Sequence, residues 1–198
     1  EIFEVIKLGI VGSTKGTDLQ KIIETEKIGQ LSAKVSVVIS NKKNAYILER
    51  AKKYNIPTLY LSHKNKTREA FDNQLSIALE KYQVDLILLI GFMRILSPHF
   101  CRSWNYKILN VHPSLLPKYS GGMDSSVHDE VLKNNEKESG CTIHYVTEKV
   151  DEGPILMQKK CLISEKETPE TLKSKVQQLE GEAFVEVINK LNEEINIF

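Results

Sequence analysis

Asp85-Leu86-Ile87-Leu88-Leu89-Ile90-Gly91 is the most apolar run in the chain. A short run without polar interruption, closed by glycine, predicts a strand buried on both faces, as in the centre of a parallel sheet. Upstream, Thr67 to Lys81 spaces Phe71, Leu75 and Leu79 four residues apart, which places them on one face of a helix. Downstream, Ile95 to Trp104 predicts a short helix and Lys107 to Val111 the next strand. Nearer the start, Val5 to Val11, Ala33 to Ser40 and Pro57 to Leu61 have strand character. Between them lie a helix capped by Asp18, carrying Leu19, Ile22 and Ile23, and a second from Asn44 to about Lys53. Strands alternating with helices predict an α/β fold with a doubly wound, mostly parallel, Rossmann-like sheet.

Beyond Pro117 the texture changes. Tyr119 to Ser126 is a loop of small residues, Val127 to Asn134 is helical, and Cys141 to Val146 and Pro154 to Ile163 are strands. These two pair through the turn at Asp151-Glu152-Gly153, giving a C-terminal antiparallel extension. Thr168 caps a long final helix with Pro169 at its first position. No repeat, low-complexity tract or linker divides the chain, so the expectation is one domain over residues 1–198.

Composition narrows the function classes. Lys+Arg 27 against Asp+Glu 26 leaves a net charge of +1, without the basic excess of a dedicated nucleic-acid binder. Cys101, Cys141 and Cys161 are odd in number and widely spaced, which fits neither a disulfide framework nor a CxxC metal pattern. No run has the length of a membrane span, and Glu1 to Lys7 does not resemble a signal peptide. A cytoplasmic protein without metal, membrane or nucleic acid is expected.

Ligands of open parallel sheets bind beyond the carboxyl ends of the strands. Gly12 to Asp18 is a strand-to-helix turn there. It either presents backbone N–H groups to a phosphate or simply allows the bend, and it is neither GxGxxG nor a Walker loop. In Asn110-Val111-His112-Pro113-Ser114-Leu115-Leu116-Pro117, Asn110 and His112 project to the same side of a strand that Pro113 must end. An amide donor beside an imidazole suits acyl transfer, although a histidine closing a strand end is also compatible with the pattern. Asp151-Glu152-Gly153-Pro154 is either a plain hairpin turn or the source of a carboxylate that orients His112; spacing cannot decide across 38 intervening residues. His144, on a strand, reads as a half-buried core residue, and Ser114 lacks the GxSxG elbow.

Together, Gly91-Phe92-Met93-Arg94-Ile95-Leu96-Ser97-Pro98, the run Asn110 to Pro117 and Asp151-Glu152-Gly153-Pro154-Ile155 resemble the phosphoribosylglycinamide formyltransferases, folate-dependent enzymes of purine synthesis. The likeness runs in order from Lys7 to the final helix. It implies Asn110, His112 and Asp151 as the catalytic trio, and Gly16, Thr17 and Asp18 at the substrate phosphate, with Glu180 on its ribose. It places Arg68, Met93, Arg94, Ile95 and Leu96 at the folate, joined by Asn110 and by Glu148 and Val150 of a loop closing over the pteridine. The implied co-substrate is 10-formyltetrahydrofolate, without metal, and the implied acceptor is the amine of phosphoribosylglycinamide. The implied assembly is a monomer or homodimer. Two departures stand out. Ser13-Thr14-Lys15-Gly16-Thr17-Asp18 has lost a glycine and gained an acid relative to the family's Ser-Gly-x-Gly-Ser-Asn, and the loop from Gly121 to His128 is longer. The rivals are a formyltetrahydrofolate hydrolase, a methionyl-tRNA formyltransferase, and a non-catalytic folate- or nucleotide-binding module.

Overall fold

A computed structural model describes residues 5–122 and 124–195. Its strands are β1 (Ile6–Val11), β2 (Ala33–Ser40), β3 (Thr58–Tyr60), β4 (Leu86–Leu89), β5 (Ile108–His112), β6 (Glu138–Tyr145) and β7 (Ile155–Leu162). Its helices are α1 (Thr17–Lys27), α2 (Tyr46–Lys53), α3 (Arg68–Lys81), α4 (Pro98–Ser103), α5 (Asp124–Lys133) and α6 (Pro169–Ile195). The strands form one seven-stranded sheet in the order β3-β2-β1-β4-β5-β6-β7. All pairings from β3 to β5 are parallel, whereas β5–β6 and β6–β7 are antiparallel.

The apolar run at β4 is fully enclosed, as its composition requires: Ile87 and Leu88 have no exposed surface. It pairs with β1 on one side and β5 on the other, so the strand order reverses between β1 and β4. That reversal opens a crevice at the carboxyl edge, because the connections leave the sheet in opposite directions there. Apolar side chains of α1, α2, α5 and α6 cover one face. Those of α3 and α4 cover the other, where Phe71, Leu75 and Leu79 are fully buried on the predicted stripe. Each such side chain contributes about 1.5–3 kcal/mol.

Several element boundaries differ from expectation for local reasons. α1 begins at Thr17, because Gly16 takes the cap position in a left-handed conformation (φ 65°) with no side-chain capping bond. Asp18 is therefore not the N-cap; it sits inside the first turn, where an acid still complements the helix dipole. α4 starts later than Ile95, since Ser97 caps it by accepting the Phe100 N–H and Pro98 follows at the first turn. α5 begins earlier than Val127, and Met123 of the small-residue loop lies outside the described residues. At α6, Thr168 Oγ1 accepts the Thr171 N–H at 3.2 Å, the cap expected from Thr-Pro. Among the described residues no helix is long and apolar enough to cross a membrane.

Candidate active site

β5 brings the two most informative residues to the carboxyl edge. Ile108 packs under α3 and α4, so its same-face neighbours Asn110 and His112 lie on that side of the sheet. Asn110 is level with Leu89, the last residue of β4, and His112 extends one step past the edge, where the strand stops before Pro113. β6 runs back along β5 with His144 directly opposite Asn110.

The segment between β6 and β7 then returns Asp151 over this edge. Asp151 has a left-handed backbone (φ 54°), a conformation that Asp and Asn tolerate better than other side-chain-bearing residues. Its Oδ2 accepts the Gly121 N–H at 2.7 Å and lies 3.4 Å from His112 Nδ1, while Oδ1 lies 3.7 Å from His144 Nε2. One carboxylate thus faces two imidazoles and fastens the 119–122 segment.

The hydrogen-bond partners distinguish the two histidines. His112 Nε2 is 2.8 Å from the Tyr119 carbonyl and Nδ1 faces Asp151, so both ring nitrogens meet acceptors that cannot donate. That environment suits the doubly protonated, cationic ring. His144 Nδ1 donates to the Tyr145 carbonyl at 2.9 Å, and Nε2 lies 3.3 Å from Asn110 Nδ2, which donates to it. One nitrogen donates and the other accepts, the pattern of a neutral imidazole. Burial holds the His144 imidazole below its ordinary value, opposed by the Tyr145 carbonyl and Asp151 and reinforced by His112. The same bond turns the amide of Asn110 so that its NH2 faces this cluster.

His144 is the residue that the sequence reading placed in the core. It is buried at 2% exposure, yet its ring belongs to this cluster. The available signal was its parity with Thr142 along β6 opposite Asn110-x-His112, but strand pairing must be known before that spacing carries meaning.

The other expected residues form two groups. Gly16, Thr17 and Asp18 open α1, which packs against α6 and so meets Glu180. Gly16 requires its glycine, because a Cβ there would lie 2.3 Å from Ile47 Cγ1. Asp18 and Glu180 are both buried. Burial, with these two carboxylates nearby, pushes the Cys141 thiol up to about 12. The 12–17 loop is held from outside by α2: the Thr14 carbonyl accepts the Ile47 N–H and the Lys15 carbonyl accepts Arg50 Nε.

The second group lies on the 93–96 and 148–150 segments and at the start of α3. Met93, Ile95 and Val150 are exposed apolar side chains, and Arg68 stands exposed at the start of α3. The Arg94 guanidinium lies 4.8 Å over the Phe71 ring. Glu148 is paired with Arg102 at 2.7 Å on the outer surface. Leu96 points inward, 6% exposed in the core beside Phe100 and Trp104, so it supports the segment from beneath. Asp72 receives the Ser97 N–H at 2.5 Å; burial pushes its carboxyl above the ordinary value, opposed by that N–H and by Arg94 and Arg68. Among the described residues no cluster of His, Cys, Asp and Glu has the arrangement of a metal site.

The chain has close counterparts in sequence and in overall fold. Residues 6–188 match the formyl transferase family model. Phosphoribosylglycinamide formyltransferase of Haemophilus influenzae is 37% identical over 188 residues, covering 94% of this chain and 87% of that protein. Trifunctional purine biosynthetic protein adenosine-3 of Chironomus tentans is 42% identical over 181 residues; these cover 90% of this chain but only 13% of that much longer protein. The crystal structure of glycinamide ribonucleotide transformylase 1 from Symbiobacterium toebii superposes with a TM-score of 0.91 at 36% identity, covering 96% of this chain and 89% of that one. The family match and these likenesses in sequence and fold cover almost the entire length, and the chain belongs to the formyl transferase family.

Proposed function

We propose that this chain, as one formyltransferase domain, transfers a formyl group from 10-formyltetrahydrofolate to the amine of 5-phosphoribosylglycinamide, a step of purine biosynthesis. The observation that carries the reading is the convergence of Asn110, His112 and Asp151 at the carboxyl edge, with His144 holding the amide. The surroundings suit the folate: Met93, Ile95 and Val150 offer apolar surface to a flat ring system, and Arg68 offers a cation to its carboxylates. When bound, the folate supplies an activated formyl carbonyl.

The chain's own groups then have distinct tasks. Asn110 donates its second amide hydrogen to the formyl oxygen as negative charge develops there. His112, cationic between Tyr119 and Asp151, places its positive charge at the same oxygen, and its Nε2–H exchanges the Tyr119 carbonyl for this new acceptor when substrate enters. Asp151 balances the imidazolium and, through water, takes the proton that the attacking amine loses; as the bond between the formyl carbon and the folate nitrogen breaks, that proton passes through the same water to the departing nitrogen. The N-terminus of α1, with Gly16 and Thr17, receives the phosphate, and Glu180 the ribose hydroxyls.

The test is to incubate the protein with 10-formyltetrahydrofolate, with and without phosphoribosylglycinamide, and to follow loss of the formyl donor. Amine-dependent loss with formation of formylated product supports the proposal. Loss that ignores the amine identifies a hydrolase, and no loss identifies a binding module.

A further inference from the structure

Ser13, Asn41 and His63 have no role in the mechanism above, yet they form a hydrogen-bonded chain that ends on the folate side of the crevice. The Met93 N–H donates to Ser13 Oγ at 3.0 Å, and the Ser13 hydroxyl donates to Asn41 Oδ1 at 2.6 Å. His63 Nδ1 lies against Asn41, 3.2 Å from its backbone carbonyl and 3.4 Å from its Nδ2. The Met93 and Ser13 donors point the same way, an arrangement in which one bond polarises the next. Ser13 and Asn41 are 7% and 3% exposed, so water does not readily replace either partner.

The backbone repeats the link. The Ser13 N–H donates to the Gly91 carbonyl at 2.9 Å. Gly91 has φ 59°, and a Cβ on it would lie 2.4 Å from Thr14 Oγ1, so the two loops touch without room for a side chain. At the far end of the same segment, Ser97 is anchored separately through its N–H to Asp72. The 91–97 segment is therefore pinned at Met93 by one network and at Ser97 by another, with Arg94 and Ile95 spanning the interval.

We propose that Ser13, oriented by Asn41, is a positioning residue that sets the 91–96 segment in register with the 12–17 loop. In this arrangement the folate wall is aligned to the phosphate loop by a hydroxyl that touches neither ligand. This rests on the assignment of Met93 and Ile95 to the folate wall. Removing the hydroxyl leaves the Met93 N–H without its acceptor and loosens the segment at that point, while the backbone bond to Gly91 stays. Because the phosphate loop keeps its own backbone anchors to Ile47 and Arg50, the damage falls on the folate side.

The test uses the full chain with Ser13→Ala, Asn41→Leu and the double variant, reading kcat, both KM values, Tm and exchange of the Met93 amide by NMR. Ser13→Ala is expected to raise the KM for 10-formyltetrahydrofolate by up to about tenfold, the loss for one hydrogen bond. The KM for phosphoribosylglycinamide should stay within about twofold, and Met93 exchange should accelerate about tenfold or more. Asn41→Leu should act in the same direction by about threefold, and the double variant should match Ser13→Ala, because the two residues act in series. Asn41→Leu, with Ser13 intact, carries the test if Ser13→Ala does not fold. An unchanged folate KM, both KM values rising in step with a fall in Tm, or independent effects in the double variant would each overturn the proposal. A wild-type chain that transfers no formyl group refutes the function instead, and Met93 exchange then decides the pinning alone: unaltered exchange in Ser13→Ala overturns it.

Discussion

Replacing Asp151 by asparagine removes a charge while keeping the shape of the side chain. The left-handed backbone at Asp151 suits asparagine equally well, so no strain is added. The new amide oxygen can take the place of Oδ2, accepting the Gly121 N–H and still facing His112 Nδ1, so the NH2 replaces Oδ1 beside His144 and what His112 loses is the negative charge. At the 3.4 Å separation of His112 and Asp151, the attraction between unit charges is about 5 kcal/mol at an effective dielectric of about 20. Both side chains are more than nine-tenths buried, at 4% and 9% exposure, so desolvation offsets most of that attraction. The net worth of a charge-assisted hydrogen bond, about 1.5–3 kcal/mol, is the better guide. If that stabilisation is needed in the transition state, kcat should fall about 10- to 150-fold. Steady-state assays of formylated product, with a thermal melt to confirm folding, provide the measurement. A variant whose kcat stays within about twofold of wild type, or whose loss lies wholly in KM, would refute the proposed role of Asp151.

Asn110→Ala should lower kcat by about 10²–10³, the usual loss for one oxyanion donor, and His144→Leu should add little in that background; multiplicative losses would show that His144 does not act through the amide. Because burial lowers the folded-state value of His144, its contribution to stability is intact above about pH 6.5 and lost as pH falls through that lowered value. His144→Gln, which keeps an acceptor without a titrating ring, should flatten this acid limb in melts taken across pH. Gly16→Ala forces a side chain into a left-handed residue and against Ile47, at about 1–2 kcal/mol for the backbone alone. It should lower Tm and raise the KM for phosphoribosylglycinamide, and an unchanged Tm would count against the tight Gly16–Ile47 contact. Asp18→Asn removes a buried negative charge beside the phosphate loop and should lower that KM by up to about tenfold; a rise would mean that the acid makes a favourable contact with substrate.

The parallel half of the sheet was legible because its strands are short and almost purely apolar, and each lies between helices with clear stripes. Asn110 and His112 were legible for a related reason: period-two geometry and a following proline fix their direction from a few residues. Asp151 was not, since only the return of the β6–β7 connection across the sheet edge brings it to His112, and the family likeness alone pointed to it. His144 was read as packing because burial and catalysis impose the same apolar surroundings on a histidine; its register with Asn110 distinguishes them. Asp18 was taken for a cap because acids favour that position, but Gly16 turns the chain two residues earlier and leaves Asp18 in the helix. The chain of Ser13, Asn41 and His63 joins three separate loops, and no local pattern marks it.

The reversal of strand direction after β5 also divides the site by position along the chain. The parallel strands, complete by residue 112, already carry the amide of Asn110 and the imidazole of His112 at their edge. The counter-charge and the second imidazole belong to the antiparallel hairpin, which lies against α6 and is in place only when that hairpin docks. Without that half, Asn110 lacks its partner His144 and His112 lacks the carboxylate of Asp151. The cluster is therefore whole only where both halves of the sheet meet, and a change confined to the hairpin reaches the two donors without touching the strand that carries them.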